Sequence, residues 1–562
     1  MRKSIASALL AVCIFSMFLR LFPLTRYLFW GADVGEYYYI STQLMADGSI
    51  SGTYAGWGFA YPLFPGMETV VASTSLLGMD ASMALSLMIP ILASLIVFPI
   101  FMIATEITGD ARAGLIAAAF IAVVMPHVYA TSHPMPAAMG DLLFATCLLL
   151  FLKWLKNPKF GLLLFPVTLV LIVTHHLSTY FLLISLIFGV FLVQLLRSHT
   201  SKEVLMRELT YVLFTAVTAA LFWFVAAPGF AEGVISSESV FLSPVLFGLL
   251  VLALVAGSLI VYARRKLLPN LVLRYPTFRR AVVTYVAVFV ASLSILLLNA
   301  LVLVPGTTIN LTPVIVILFL PLVLFISFAG PGSRPIGFNR GGTYPLAWTL
   351  AISISTLVGV AASSKVLLPY RHLEYLMVPI AVLAGVGTVH AFGLIHFAGN
   401  RRRAGVAVAV ALGLIVTNAA VAYPPRDLMG GWEEGMKPET VSLALWTGEH
   451  TDGLVAADHR VSTMLFGFGR VDATWDTVTL IFHAEDFDEA REELESVDSP
   501  SGRQRAAYVA FDSDTVTGVT RYPWDPAEPM SDEAVEKFEA APFQKMYDDG
   551  YSSLFLINWG LT

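Results

Sequence analysis

Trp30-Gly31-Ala32-Asp33-Val34-Gly35-Glu36-Tyr37-Tyr38-Tyr39 decides how this chain is read. It sets two carboxylates directly behind the first long apolar segment, Ser4 to Leu24. Acids at the rim of a membrane span are expensive and mark a functional position by default. Met1-Arg2-Lys3 ahead of that segment could imitate a signal peptide, but the apolar run is too long for one and no small-residue cleavage site follows. The sequence predicts an uncleaved first transmembrane helix.

The remainder of the chain has the same character. Of 562 residues, 57% are hydrophobic and only 13% charged, against about 25% charged in ordinary soluble domains. Cys13 and Cys147 both lie in apolar segments and offer neither a disulfide framework nor a metal-spaced cluster. Apolar stretches of the roughly 20 residues that cross a bilayer number about thirteen. They fall near 4–24, 82–105, 112–128, 138–154, 160–174, 177–196, 210–227, 243–262, 282–303, 312–329, 344–362, 373–396 and 404–422. Pro62 to Leu77 is apolar but holds Pro65, Gly66 and Glu68, and reads as a re-entrant or surface-lying part of a first outer loop, 25–81. The expected fold is a multi-pass α-helical membrane protein with a transmembrane domain over 1–423.

Lys and Arg accumulate in short cytoplasmic loops. With the N-terminus inside, cytoplasmic segments hold Arg2 and Lys3, Arg112, Lys153, Lys156 and Lys159, and Arg197, Lys202 and Arg207. They continue with Arg264, Arg265, Lys266, Arg274, Arg279 and Arg280, with Arg334 and Arg340, and with Arg401, Arg402 and Arg403. The opposite short loops hold only Arg26, Lys365 and Arg371, with Arg20 near the outer end of the first span. The alternation predicts an odd number of spans and a C-terminus outside.

From Tyr423 the composition turns soluble: residues 424–562 carry 27 acidic against 10 basic residues, while the preceding part carries 13 and 24. Leu454–Ala457, Ala507–Phe511 and Ser552–Ile557 read as strands, and Thr440–Gly448, Phe487–Ser496 and Asp532–Ala540 as helices. This predicts an extracytoplasmic α/β domain over 424–562, whose acidic excess reads as a solvated face.

Polar residues on the predicted outer side gather in four places. The first is Asp33 and Glu36, ahead of a stretch whose Ile40, Leu44 and Met45 would line a helix lying along the membrane. The second is His127 and His133, then Asp141 entering an apolar helix. His175-His176 form the third, and Arg371-His372-Leu373-Glu374 the fourth. Simpler readings stand beside these. Asp33 or Asp141 would serve as a helix N-cap, His175-His176 as interfacial histidines bonded to loop carbonyls, Arg371 as a residue snorkelling to headgroups, and Arg371 with Glu374 as an i,i+3 pair. Convergence on one side of a bundle otherwise bare of charge favours function.

With Gly-Ala-Asp at 31–33, a second acid in the next outer loop, Arg371 near a late span and an external α/β tail, the chain resembles the GT-C superfamily. These are membrane glycosyltransferases that use polyprenyl-phosphate-linked sugars, and the archaeal oligosaccharyltransferase catalytic subunit and protein O-mannosyltransferase-type enzymes share the core. The resemblance implies a polyprenyl-phosphate-linked donor, a lipid, glycan or protein acceptor at the outer face, and inverting, hexosyltransferase-like transfer. It implies Asp33 as base, with Glu36 and Asp141 as further catalytic acids, or Asp33 and Asp141 as ligands of a divalent metal (Mg or Mn). It puts Arg371, His372, His175 and His176 at the donor phosphate, and His133 and Glu374 in support. The oligosaccharyltransferase motif Trp-Trp-Asp-Tyr-Gly is missing; Thr474-Trp475-Asp476 and Gly431-Trp432-Glu433 come nearest. Single-sugar transfer therefore fits better than en bloc transfer. The chain has no Gly-rich phosphate loop opening a helix, which favours a lipid-linked donor over a nucleotide sugar, and no nucleic-acid partner is expected. A lipid-linked glycan flippase, a wall-polymer ligase and a non-catalytic surface-assembly protein remain open alternatives.

Overall fold

Apolar runs of this length satisfy their backbone inside a bilayer only as helices. The computed structural model is such a helical bundle, with a mixed α/β domain seated on one end. It describes residues 3–49, 54, 56–58, 60–196, 201–237, 257, 263, 277–301, 313–337, 340–361, 367, 371–394, 400–426, 431, 433–474, 478–499, 501–520 and 527–561. Among these, nine helices are long and apolar enough to cross a membrane: Lys3–Thr25, Ala81–Thr108, Pro136–Lys156, His176–Leu196, Lys202–Ala226, Phe278–Leu297, Val316–Ser333, Gly341–Val360 and Arg371–Gly393. The chain is a multi-pass membrane protein.

The stretch expected as one span at 112–128 is instead two helices, Ala111–Val123 and Met125–Ser132, bent by 57°. Pro126 lies at the break, in the first turn of the second helix, where its missing amide donor costs no helical hydrogen bond. Pro158–Thr174 and Gly405–Ala420 are shorter apolar helices where spans were expected at 160–174 and 404–422. The expected span at 243–262 falls almost wholly outside the described residues, as do Arg197, Arg264, Arg265, Lys266, Arg274, Lys365, Trp432, Trp475 and Asp476.

Helix α1 is Lys3–Leu21, β1 is Phe29–Trp30, α2 is Val34–Asp47 and α3 is Gly66–Leu76. Next come α4 (Met125–Ser132), α5 (Pro136–Lys156), α6 (Gly161–Thr174), α7 (His176–Leu196) and α8 (Arg371–Leu394). The C-terminal domain holds β2 (Gly435–Met436), β3 (Val455–Ala456), α9 (His459–Met464), β4 (Tyr508–Asp512), β5 (Phe543–Asp548) and β6 (Ser552–Ile557).

The domain's sheet runs β3-β4-β6-β5, with β3 parallel to β4 and the other pairs antiparallel. Alternate residues face opposite ways along a strand. Val455, Ala510 and Leu554 join a core shared with α2, α3 and the start of α5, while Ala456, Val509, Phe511 and Phe555 join a core within the domain. Burial on both faces explains why β4 and β6 read as near-continuous apolar runs. Strand β5, unforeseen in the sequence, is an edge whose Gln544, Lys545 and Met546 are exposed.

The domain is fastened to the loop after the first span. Strand β1 pairs antiparallel with β2, Phe29 opposite Met436 and Trp30 opposite Gly435. Helix α2 packs on the turn at Leu465–Gly469 so closely that a Cβ on Gly35 would lie 1.8 Å from the Thr463 carbonyl oxygen. Ile40, expected on a helix lying along the membrane, is buried in this arrangement.

Candidate active site

Gly31, at φ 129°, turns the chain from β1 towards α2 and brings Asp33 to the helix start. Asp33 occupies the N-cap position, but its side chain makes no capping bond, so the cap reading is set aside. Its carboxylate is engaged elsewhere. Tyr61 donates to Oδ2 at 3.0 Å, and His459 Nε2 of the C-terminal domain lies 3.0 Å from Oδ1. Burial alone would raise the Asp33 carboxyl. The hydrogen bond and charge of His459, the Tyr61 hydroxyl and the Arg371 guanidinium outweigh it and hold the group below its ordinary value.

Glu36, one turn on, is fully buried and behaves oppositely. It accepts from Tyr54 and, at 3.3 Å, from the Trp57 amide, yet burial pushes its carboxyl up to about 8. The surroundings of Asp33 favour its anion, whereas burial favours the neutral form of Glu36, whose carboxyl meets the Tyr54 hydroxyl and the Trp57 amide.

The folded protein thus holds the Glu36 proton more tightly than an unfolded chain, whose Glu titrates near 4.3. Stability from this group is complete at low pH and is lost as pH rises towards 8, by up to about 1.4 kcal/mol per pH unit. Glu36→Gln, which mimics the protonated acid, will therefore gain thermal stability over the wild type progressively between pH 5 and 8. A difference in melting temperature that does not change with pH would contradict this assignment.

Asp141 lies well inside α5, whose N-cap is Met135, so it does not cap the helix. It is buried, with His127 Nε2 of α4 3.3 Å from its Oδ2. Behind His127 stands Arg20 of α1, also buried, with Nη2 2.8 Å from His127 Nδ1, Nε donating to Thr131 at 2.9 Å and Nη1 to Ser16 at 2.6 Å. The cation expected merely to mark the outer end of the first span is thus a buried counter-charge reaching Asp141 through a histidine.

Arg371 is the first residue of α8, where the exposed amides of a helix start already favour anions. It is half-buried, with Nη1 3.0 Å from the Met135 sulfur. Its charge acts on Asp33, Asp141, His175, His176 and Glu374, which α2, α5, α6, α7 and α8 bring round it. His175 Nδ1 lies 2.8 Å from Ser178 Oγ and 3.3 Å from the Tyr375 hydroxyl, so it meets side chains, not the loop carbonyls of the simpler reading. His176 packs against Phe64 and Phe230.

His372 does not join this group. It is fully buried, bonded through Nε2 to Ser355 at 2.8 Å and packed edge-on against Phe181. On a helix the residue after Arg371 must point about 100° away from it. His133 stacks on Trp30 and places Nε2 3.5 Å from Glu434, which also accepts from the Ala32 amide at 3.2 Å.

Sequence reasoning missed His459, Glu434, Tyr61 and the Arg20–His127 support. A signal existed for His459: Asp458-His459-Arg460 follows a buried strand, and the carboxyl ends of strands are where α/β sheets place functional groups. His459 and Tyr61 each occupy one lone-pair site on the Asp33 carboxylate, Asp141 lies against His127, and among the described residues no group of three His, Cys, Asp or Glu side chains is placed to hold a metal ion.

Comparison with solved structures finds the same fold, a multi-pass helical bundle carrying an α/β domain, in proteins of 13–15% identity. The archaeal oligosaccharyltransferase AglB from Archaeoglobus fulgidus, in complex with an inhibitory peptide and a dolichol-phosphate, matches with a TM-score of 0.60 at 13% identity, over 92% of this chain and 70% of its own. The Archaeoglobus fulgidus oligosaccharyltransferase in complex with Zn and sulfate matches with a TM-score of 0.58 at 15% identity, over 90% and 68%. ArnT from Cupriavidus metallidurans bound to undecaprenyl phosphate matches with a TM-score of 0.50 at 14% identity, over 99% and 98%. No protein-family model and no curated protein sequence matches the chain.

Proposed function

We propose that this protein is a GT-C-type membrane glycosyltransferase that moves a single sugar from a polyprenyl-phosphate-linked donor to a hydroxyl of a lipid, glycan or protein acceptor. The observation that carries this reading is one patch holding an ionised, partly exposed carboxylate, Asp33, within the field of a helix-starting arginine, Arg371. Solved relatives in fold carry dolichol-phosphate or undecaprenyl phosphate, which supports the choice of donor.

The reaction is a single displacement. The acceptor oxygen attacks the anomeric carbon, Asp33 takes its proton, and the bond to the lipid phosphate breaks with inversion. The departing lipid phosphate is already a good leaving group and needs positive charge rather than an acid. Arg371 and the α8 amides supply that charge, with His175 and His176 beside them. Glu36 holds the loop under the acceptor, Asp141 and Glu374 balance Arg371, and His133 with Glu434 fixes the turn before Asp33.

Residues 1–423 form the membrane-embedded catalytic domain in this reading, and 424–562 an extracytoplasmic domain completing the acceptor side. The basic-loop alternation supports that orientation. A cysteine at exposed Gln544, with Cys13 and Cys147 both buried, will react with a membrane-impermeant maleimide on intact cells. Purified protein in vesicles will release polyprenyl phosphate and transfer the sugar with inverted configuration. Gln544→Cys labelled only after lysis would reverse the orientation, and retained configuration would refute the displacement.

A further inference from the structure

Among the contacts to Asp33, the one from His459 crosses from the C-terminal domain to the first loop, and nothing in the proposed chemistry accounts for it. We propose, resting on the reading of Asp33 as the base, that His459 is a positioning residue of the catalytic centre: its Nε2–H holds one Asp33 oxygen, so the base is correctly aimed only when the C-terminal domain is docked.

His459 is held firmly enough to do this. It opens α9 immediately after β3, its amide donates to the Thr520 carbonyl at 2.8 Å, and Asp458 caps the helix through the Val461 amide at 2.9 Å. The ring is 2% exposed and meets the Trp57 indole edge-on, centroids 4.7 Å apart. Three further contacts fix the domain against the same few residues: Thr463 donates to the Ala32 carbonyl at 2.6 Å, Glu434 accepts from the Ala32 amide, and β1 pairs with β2. The backbone carrying Asp33 is thus clamped on both sides by the domain that supplies its histidine.

The geometry leaves room for substrate. An ionised carboxylate offers about four lone-pair sites. His459 takes one on Oδ1 and Tyr61 one on Oδ2, at 3.0 Å each, so each oxygen keeps a site for the acceptor hydroxyl. Two donors from separate elements, one on each oxygen, fix the rotation of the carboxylate plane. Misplacing a catalytic group by about 1 Å can cost 10²-fold.

The test is a double-mutant cycle read in kcat and KM. His459→Phe keeps a ring against Trp57 but no donor, and is expected to lower kcat about 10–10²-fold with donor KM unchanged. His459→Gln, which retains a side-chain N–H, is expected to recover most of the loss. In an Asp33→Asn background, His459→Phe should cost nothing further, because the group it aims is gone. Wild-type kcat in His459→Phe, failure of Gln to recover it, or an undiminished extra loss in the Asp33→Asn background would each overturn the proposal. Should His459→Phe not fold, His459→Ala takes its place in the same cycle. The parent reading fails separately, through an Asp33→Asn enzyme that turns over at the wild-type rate.

Discussion

Asp33→Asn will fold, keep its C-terminal domain docked, and transfer sugar about 10²–10⁴-fold more slowly than the wild type, the usual cost of losing a general base. Folding survives because an asparagine can serve both neighbours, its oxygen accepting from His459 and its amide donating to the Tyr61 oxygen. Exchanging one buried hydrogen-bond partner for another costs about 0.5–1.5 kcal/mol. A helix-cap role would have predicted the reverse, a normal rate at a slightly lower melting temperature, and the absence of a capping bond already speaks against it. Release of polyprenyl phosphate by purified variant and wild type, alongside their melting temperatures, decides the matter. Equal rates would remove Asp33 from the chemistry.

The sequence made the bundle legible because crossing a bilayer leaves a signal about 20 residues long, which local irregularity does not erase. It was less informative wherever a local break or a single packing contact decides. One expected span is two helices, with Pro126 in the first turn of the second. Strand β5 escaped notice because consecutive Gln544, Lys545 and Met546 are all exposed, so this edge strand carries no apolar alternation.

The candidate site divides along the same line. Asp33 and Arg371 stood out as charges at membrane rims, where cost alone makes a residue conspicuous. His459 lay in an acidic tail whose charge read as solvated, yet Glu433, Asp458 and Asp512 of that tail are buried. Nothing local distinguishes a carboxylate bound for an interface from one facing water. Likewise, that His372 bonds to Ser355 while the charge of Arg371 reaches Asp33, Asp141 and Glu374 follows from which face of α8 meets its neighbours. Composition and spacing carry no such information.

Arg371→Met will abolish most donor turnover, lowering kcat about 10²–10³-fold, the scale of losing one preorganised charge at a departing oxyanion. Arg371→Lys will retain more, losing about 10-fold, because an ammonium keeps the charge but not the planar fork that grips two phosphate oxygens. The order Arg > Lys > Met is the informative result, since a residue that merely snorkelled to headgroups would tolerate lysine fully. A second consequence separates phosphate binding from electrostatic balance. Arg371 is a counter-charge to Asp33, Asp141 and Glu374, so the methionine variant leaves that acidic group undercompensated and should melt lower than either cationic form. Inorganic phosphate or a short polyprenyl phosphate should then raise the melting temperature of the wild type and, less, of the lysine variant, but not that of the methionine variant. If the lysine variant matches the wild type in turnover and in stabilisation by the lipid phosphate, the leaving group is not held by Arg371, and the charge at the start of α8 serves the acids alone.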